Sequence, residues 1–163
     1  MKTKIAIIAA LVASLAFATA AEKIKAPNGG RIIDNVTPKA EFVVTKDKKI
    51  EIRFLDDSGK VIAPAAQVAT VTMGDRAAPT KLAFAKDGDK LVSDKVIPEG
   101  KELPVVLQIK TTPDAKAVTA KFNLNLSICP TCKNAEYACT CDHSGEEKGH
   151  EGHNHKPGDN HKH

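Results

Sequence analysis

The stretch AVTAKFNLNL, residues 117–126, alternates between apolar and polar side chains along its whole length. The apolar positions are Val118, Ala120, Phe122, Leu124 and Leu126, and the polar positions between them are Thr119, Lys121, Asn123 and Asn125. Successive side chains of a β-strand point to opposite faces of the sheet, so this pattern predicts a strand with one buried and one solvated face.

The same period of two continues through the chain in KKIEIRFLDD (48–57) and LPVVLQIK (103–110). The breaks are turn sequences, DDSGK (56–60) and KDGDK (86–90), and Asp-Gly is a strong hairpin signal because Gly accepts a positive φ. We predict about seven strands, near 31–36, 40–46, 49–55, 66–73, 80–85, 90–96 and 103–110, with an eighth at 117–126. Short, evenly spaced strands without an amphipathic helix predict an all-β fold, an antiparallel immunoglobulin-like β-sandwich of about 7–8 strands.

The chain begins with a segment that is typical of export. Residues 1–20, MKTKIAIIAALVASLAFATA, combine two lysines, an apolar run too short to span a bilayer, and an Ala-Thr-Ala cleavage signal. We predict a signal peptide at 1–20, a β-sandwich domain at 21–127, a Cys-rich segment at 128–143 and a disordered His-rich tail at 144–163. The mature protein is then expected to be soluble, periplasmic or secreted, in an oxidising compartment and without a membrane span.

Charge and composition exclude several functions. The chain has a formal net charge of +4, one Tyr and no Trp, which is not the basic, aromatic footprint of a nucleic-acid-binding protein. Residues 21–127 contain neither His nor Cys, so a Ser-His-Asp or Cys-His catalytic device cannot be built inside that domain. We therefore predict that the protein is not an enzyme.

All four cysteines lie within CPTCKNAEYACTCDH, residues 129–143. Their spacing is C-x2-C-x6-C-x-C, and a C-x-x-C turn places two sulfurs on one side of a tight knuckle. This pair and the following C-x-C pair supply four thiolates for zinc or copper, with His143 as an alternate fourth ligand. The predicted ligands of this site are Cys129, Cys132, Cys139 and Cys141.

Two other interpretations of the cysteines stay open. Exported cysteines in even number usually form disulfides, and four cysteines allow three connectivities that the sequence does not distinguish. A thiol oxidoreductase built on Cys129 and Cys132 would need a βαβ pattern that this chain lacks.

The histidines are concentrated beyond the cysteines, with all six of the chain in its last 21 residues. Neutral imidazoles bind Zn²⁺, Ni²⁺ or Cu²⁺, and two histidines separated by one residue (His-x-His) can bind one ion with both rings. The alternative is a solubilising tail with incidental affinity. We predict a low-affinity collecting arm made of His150, His153, His155, His161 and His163.

Several stretches resemble a known group of proteins: APNGGRIIDNVTPKAEFVVTKDKKIEIRFLDDSGKVIAP, APTKLAFAKDGDKLVSD, PVVLQIK and KFNLNL. Together they are similar to small exported sandwich domains associated with bacterial heavy-metal efflux systems of the resistance-nodulation-division class. The resemblance covers most of residues 26–126 and consists of strands and turns without a catalytic motif. Such domains often begin with His-Gly-Gly, whereas this chain has Asn28-Gly29-Gly30, so no metal role is transferred to that position. The resemblance implies a periplasmic setting close to metal handling.

These observations lead to one main functional hypothesis and one alternative. The main hypothesis is an exported metal-binding protein that buffers or delivers a transition metal of the Zn, Cu, Ni or Co class through its Cys/His-rich tail. A periplasmic efflux component is the candidate partner. The alternative is a non-catalytic periplasmic interaction module whose tail is held by disulfides.

Overall fold

The computed structural model describes residues 24–141. The predicted signal peptide at 1–20 and the predicted tail at 144–163, with five of the six histidines, lie outside these described residues, and so does His143. The strands are β1 (Arg31–Ile33), β2 (Lys39–Val44), β3 (Ile50–Leu55), β4 (Val61–Ile62), β5 (Val68–Met73), β6 (Thr80–Asp87), β7 (Lys90–Ser93), β8 (Glu102–Lys110) and β9 (Val118–Asn125). A 3-10 helix follows at Glu136–Ala138, and in residues 24–141 no helix has the length and apolar character needed to cross a membrane.

The strands form one antiparallel sheet with the order β1-β2-β3-β7-β6-β5-β8-β9, and β4 pairs with the C-terminal end of β3. The sheet is continuous because β6 changes partners along its length: Thr80–Ala83 pair with β5, and Phe84–Asp87 pair with β7. The all-β, antiparallel prediction is confirmed. The immunoglobulin-like sandwich of 7–8 strands is not confirmed, because the nine strands make a nearly closed, barrel-like sheet rather than two separate layers.

All eight predicted strands are present near their predicted positions, and the two-residue β4 is the addition. The Asp-Gly signal marks a true hairpin, in which Asp87 of β6 pairs with Lys90 of β7. Gly88 sits at the first of the two central positions with a φ of 58°, which a side chain would oppose. The apolar positions of the predicted strands also face the interior of the sheet. The core consists chiefly of Phe42, Ile50, Ile52, Phe54, Val71, Leu82, Leu107, Ile109 and Leu124.

The two edge strands, β1 and β9, approach each other without a backbone ladder between them in the described part of the chain. We call this gap the seam. The Arg31 guanidinium of β1 lies 4.9 Å from the ring centre of Phe122 on β9, and the Phe122 ring meets Phe42 of β2 edge-on at 5.1 Å. Asn35 Nδ2 also donates to the Thr119 carbonyl at 3.2 Å. Side chains, rather than strand pairing, therefore bring the two edges together.

The segment before β1 is tied to a buried carboxylate. Glu41 of β2 is completely buried, and its oxygens accept hydrogen bonds from Asn28 N, Asn28 Nδ2 and Gly30 N at 2.8–2.9 Å. A Cβ on Gly30 would lie 2.3 Å from the Phe42 carbonyl, so only glycine permits this approach. Asn28 and Gly30 of the Asn28-Gly29-Gly30 turn are thus the hydrogen-bond partners of Glu41 in this fold.

An ion-pair network covers part of the outer face of β3. Glu51 lies 2.7 Å from Arg53 and 2.9 Å from Lys90 of β7, and all three side chains are at most a quarter exposed. Burial alone would raise the pKa of Glu51, but hydrogen bonds from Lys90 and Arg53 outweigh it and hold that pKa below its ordinary value. The Glu51–Lys90 ion pair fastens β3 to β7.

Candidate metal centre

The cysteine segment continues directly from β9 and folds back on itself as a small hairpin. Ile128 and Ala135 form an isolated antiparallel bridge, and Glu136 N donates to the Ser127 carbonyl at 2.8 Å. Cys129 N donates to the Asn134 carbonyl at 2.8 Å in the same hairpin. The turn at its tip is therefore fixed by backbone hydrogen bonds on both of its arms.

That turn is the predicted Cys129–Cys132 knuckle. Pro130 fixes φ at the second position of the turn, and Lys133 N closes it by donating to the Cys129 carbonyl at 3.0 Å. Lys133 has a φ of 63°, a left-handed conformation that glycine adopts without steric cost and lysine does not. Its ammonium group donates to the Pro130 carbonyl at 2.6 Å and covers the back of the turn.

The second pair of cysteines follows the 3-10 helix. Cys139 N donates to the Glu136 carbonyl at 3.1 Å, which ends the helix and directs the chain back toward the knuckle. Cys141 N then points at Cys139 Sγ at 3.4 Å. The six-residue spacer is therefore long enough for one helical turn that returns the second pair to the first.

The four sulfur atoms converge, all lying within 4.8 Å of one another. Individual distances are 3.5 Å from Cys139 to Cys129, 3.6 Å from Cys132 to Cys139, and 3.9 Å from Cys129 to Cys141. With a zinc–sulfur bond of ~2.3 Å, the sulfurs of a regular tetrahedron are ~3.8 Å apart. These three distances are close to the tetrahedral value, so the four sulfurs lie near enough to hold one ion, and the cysteines are not joined by disulfide bonds, which need ~2.05 Å.

Backbone N–H groups and burial act in opposite directions on the thiols of this cluster. The N–H groups of Cys132 and Thr131 lower the pKa of Cys129, and those of Asn134 and Thr140 lower the pKa of Cys132 to about 6. Burial, followed by the neighbouring cysteine sulfurs, raises the pKa of Cys141 to about 12. The knuckle therefore offers thiolates readily, whereas Cys141 loses its proton only when a cation replaces it.

Tyr137 fastens this segment to the sheet. Its side chain belongs to the 3-10 helix but is only 5% exposed, and its ring packs edge-on against Phe42 at 5.9 Å. The Tyr137 hydroxyl accepts a hydrogen bond from Val44 N at 3.0 Å, and Arg31 Nη1 donates to the Tyr137 carbonyl at 3.1 Å. Burial raises the pKa of Tyr137, and the nearby Glu41 carboxylate adds to that effect.

The structure brings together four of the ten predicted ligands, the four cysteines. The other six, His143, His150, His153, His155, His161 and His163, lie outside the described residues. Sequence reasoning missed Tyr137 and Glu41 as anchoring residues. The available signal for Tyr137 was that the only tyrosine of the chain stands between the two cysteine pairs; Glu41 falls at a position that the period of two leaves ambiguous.

Comparison of the chain with protein-family models found no match, and comparisons with curated proteins and with solved structures found none either.

Proposed function

We propose that this protein is an exported metal-binding protein whose four cysteines hold one tetrahedral divalent ion, with zinc as the first choice. The observation that carries the proposal is the convergence of Cys129, Cys132, Cys139 and Cys141 at tetrahedral sulfur–sulfur distances. Tetrahedral sites of four sulfurs are typical of zinc and iron, whereas copper(I) tolerates lower coordination. The geometry thus favours zinc over copper among the expected metals.

The donor set also limits what the site can do. Four protein thiolates complete a tetrahedron and leave no open position for water or substrate, so a metal held here would be bound and not used for hydrolysis. N–H groups aimed at the sulfurs of Cys129 and Cys132 partly neutralise thiolate charge and favour the metal-bound form. Both features support retention of the ion over catalysis.

In this proposal the protein buffers or delivers its metal after export, and a heavy-metal efflux component receives it. The signal-like start of the chain and its resemblance to efflux-associated domains support that setting. The histidines beyond Cys141 act as a weaker collecting arm, because imidazole pairs bind the same ions as the thiolates.

A second candidate is an interaction module whose C-terminal segment is held by disulfides. The Cys132–Cys139 and Cys129–Cys141 sulfur distances of 3.6 and 3.9 Å would need to shorten by less than 2 Å to form both bonds. Oxidation in an exported compartment favours this product whenever the cysteines are without metal.

The deciding experiment measures bound metal in three forms of the protein, purified reduced and under argon. We expect one zinc per chain in the unaltered protein and in Thr140→Ala, which removes an exposed hydroxyl between two cysteines. The double variant Cys132→Ser/Cys139→Ser should lose tight binding, because two thiolates retain zinc far less strongly than four. Stoichiometric zinc in the double variant, or in a chain that ends at Ser127, would refute the proposed site.

A further inference from the structure

We propose that metal binding at the four cysteines closes the seam of the sheet, so that the protein has a sealed metal-bound state and an open metal-free state. The moving part is the segment Ser127–Cys141, which we call the strap. This inference rests on the proposed metal site and adds a consequence for the rest of the fold. In the open state, the Val44 N–H at the edge of β2 loses the Tyr137 hydroxyl that covers it and becomes accessible to solvent.

The strap covers a point where the sheet lacks a neighbouring strand. β1 begins at Arg31, opposite Phe42, so it does not reach Val44 at the end of β2. The Tyr137 hydroxyl accepts the hydrogen bond from Val44 N that a longer β1 would have accepted from a backbone carbonyl. The 3-10 helix contacts both β1 and β9, so the strap bridges the two edges of the seam.

Side chains of the seam meet at the same point. Tyr137 packs on Phe42, Phe42 packs on Phe122, and Arg31 both covers the Phe122 ring and holds the Tyr137 carbonyl. These contacts connect β1, β2, β9 and the strap in one cluster. Withdrawal of Tyr137 would therefore expose the Phe42 edge of the cluster together with the Val44 N–H.

The strap has few means of staying in place without a metal ion. Of its residues only Cys129, Tyr137 and Ala138 are buried, and Ile128 is 63% exposed. Besides the contacts of Tyr137 with Val44, Arg31 and Phe42, its order comes from the hairpin hydrogen bonds and from the four sulfurs, which a metal ion would join through coordinate bonds. Tyr137 stands between Cys132 and Cys139, so an ion that bonds both of these sulfurs fixes both ends of the spacer that carries the ring.

The coupling must act in both directions. If metal binding holds Tyr137 against Val44, then Tyr137 in its site must strengthen metal binding by the same factor, because linked equilibria are reciprocal. This reciprocity gives two independent measurements of one coupling factor, the factor by which metal binding and the docking of Tyr137 strengthen each other. Both measurements use the whole chain. The optical signal can be assigned to Tyr137 because it is the only tyrosine and the chain has no tryptophan.

The first measurement follows the Tyr137 near-ultraviolet circular dichroism and the exchange rate of the Val44 amide, in reduced protein with and without zinc. We expect chelation to abolish most of the Tyr137 signal and to speed Val44 exchange by about tenfold or more, while amides of β5 and β8 keep their protection. Thr140→Ala is the matched control: it removes only an exposed hydroxyl, keeps the backbone N–H that approaches Cys132, and should respond to zinc as the unaltered protein does.

The second measurement is the zinc affinity of Tyr137→Ala, which should be weaker than that of Thr140→Ala by the same factor of about ten or more. Zinc that binds stoichiometrically but leaves Val44 exchange unchanged would overturn the coupling and leave the metal site intact. An unchanged affinity in Tyr137→Ala would overturn it as well. Absence of any bound zinc would remove both the coupling and the proposed function.

Discussion

Replacing Tyr137 by Phe tests how the cysteine segment is anchored, because it removes one hydroxyl and keeps the ring on Phe42. The lost group accepts the Val44 N–H at 3.0 Å, and β1 offers no substitute at that position. A buried donor left without a partner costs about 1–3 kcal/mol. Val44 is only half-buried, so water can reach its amide in part. We therefore expect the free energy of unfolding to fall by about 1–2 kcal/mol, in the lower part of that range.

The assay is urea unfolding of the zinc-loaded protein, followed by far-ultraviolet circular dichroism, together with exchange of the Val44 amide. Thr140→Ala is the control, since it removes an exposed hydroxyl from the same segment and should change stability by no more than about 0.5 kcal/mol. The anchoring role of the hydroxyl would be refuted if Tyr137→Phe had the same free energy of unfolding as this control and its Val44 amide exchanged no faster.

Four further predictions concern single side chains. Lys133→Val should weaken zinc binding by about tenfold relative to Lys133→Asn, because a β-branched residue opposes the backbone φ of 63° and Asn tolerates it. Equal zinc affinities of the two variants would contradict backbone strain at this turn. Glu51→Gln should cost about 1–2 kcal/mol in urea unfolding at pH 7. The folded-state pKa of Glu51 lies below its ordinary 4.5. The stability advantage of the unaltered protein over Glu51→Gln is therefore present above pH 4.5 and should disappear as the pH falls through that lower pKa. A stability advantage that persists at pH 2 would contradict the role of the Glu51 carboxylate. Absorbance titration of Tyr137, the only tyrosine, should give a pKa above its ordinary 10.0, and a value at or below 10.0 would mean that the ring is solvated. Zinc affinity should fall as the pH is lowered, with the slope steepening by about one proton below the pKa of about 6 of Cys132; a pH-independent affinity would exclude thiolate ligands.

Most strands were predictable because they alternate between a core face and a solvent face, although β2 buries Ala40, Glu41 and Phe42 in succession. The alternation in β8 and β9 specifies which side chains are buried, but it does not specify which strand lies beside which. The decisive feature is β6, whose two halves pair with different neighbours. Nothing in the composition of Thr80–Asp87 marks the point where the partner changes, so the single nearly closed sheet was not predictable and a two-layer sandwich was expected instead.

The cysteine site was predictable to the level of its four sulfurs. The C-x-x-C spacing and Pro130 specify the knuckle locally, and the structure adds that the second pair returns to it. The anchoring by Tyr137 depends on a contact with Val44, 93 positions earlier in the chain, which no local pattern reveals. Glu41 was missed for the same reason, since its partners Asn28 and Gly30 approach it only after β1 pairs with β2.

The proposed function depends most directly on whether four cysteines hold a metal ion in the protein as its own cell makes it: Cys129, Cys132, Cys139 and Cys141. The measurement is elemental analysis with a thiol count on protein isolated under argon. We expect one zinc per chain and four thiols that react only after the metal is chelated or the protein is unfolded. No metal, together with two disulfides and no reactive thiols, would contradict it and leave the disulfide-held interaction module.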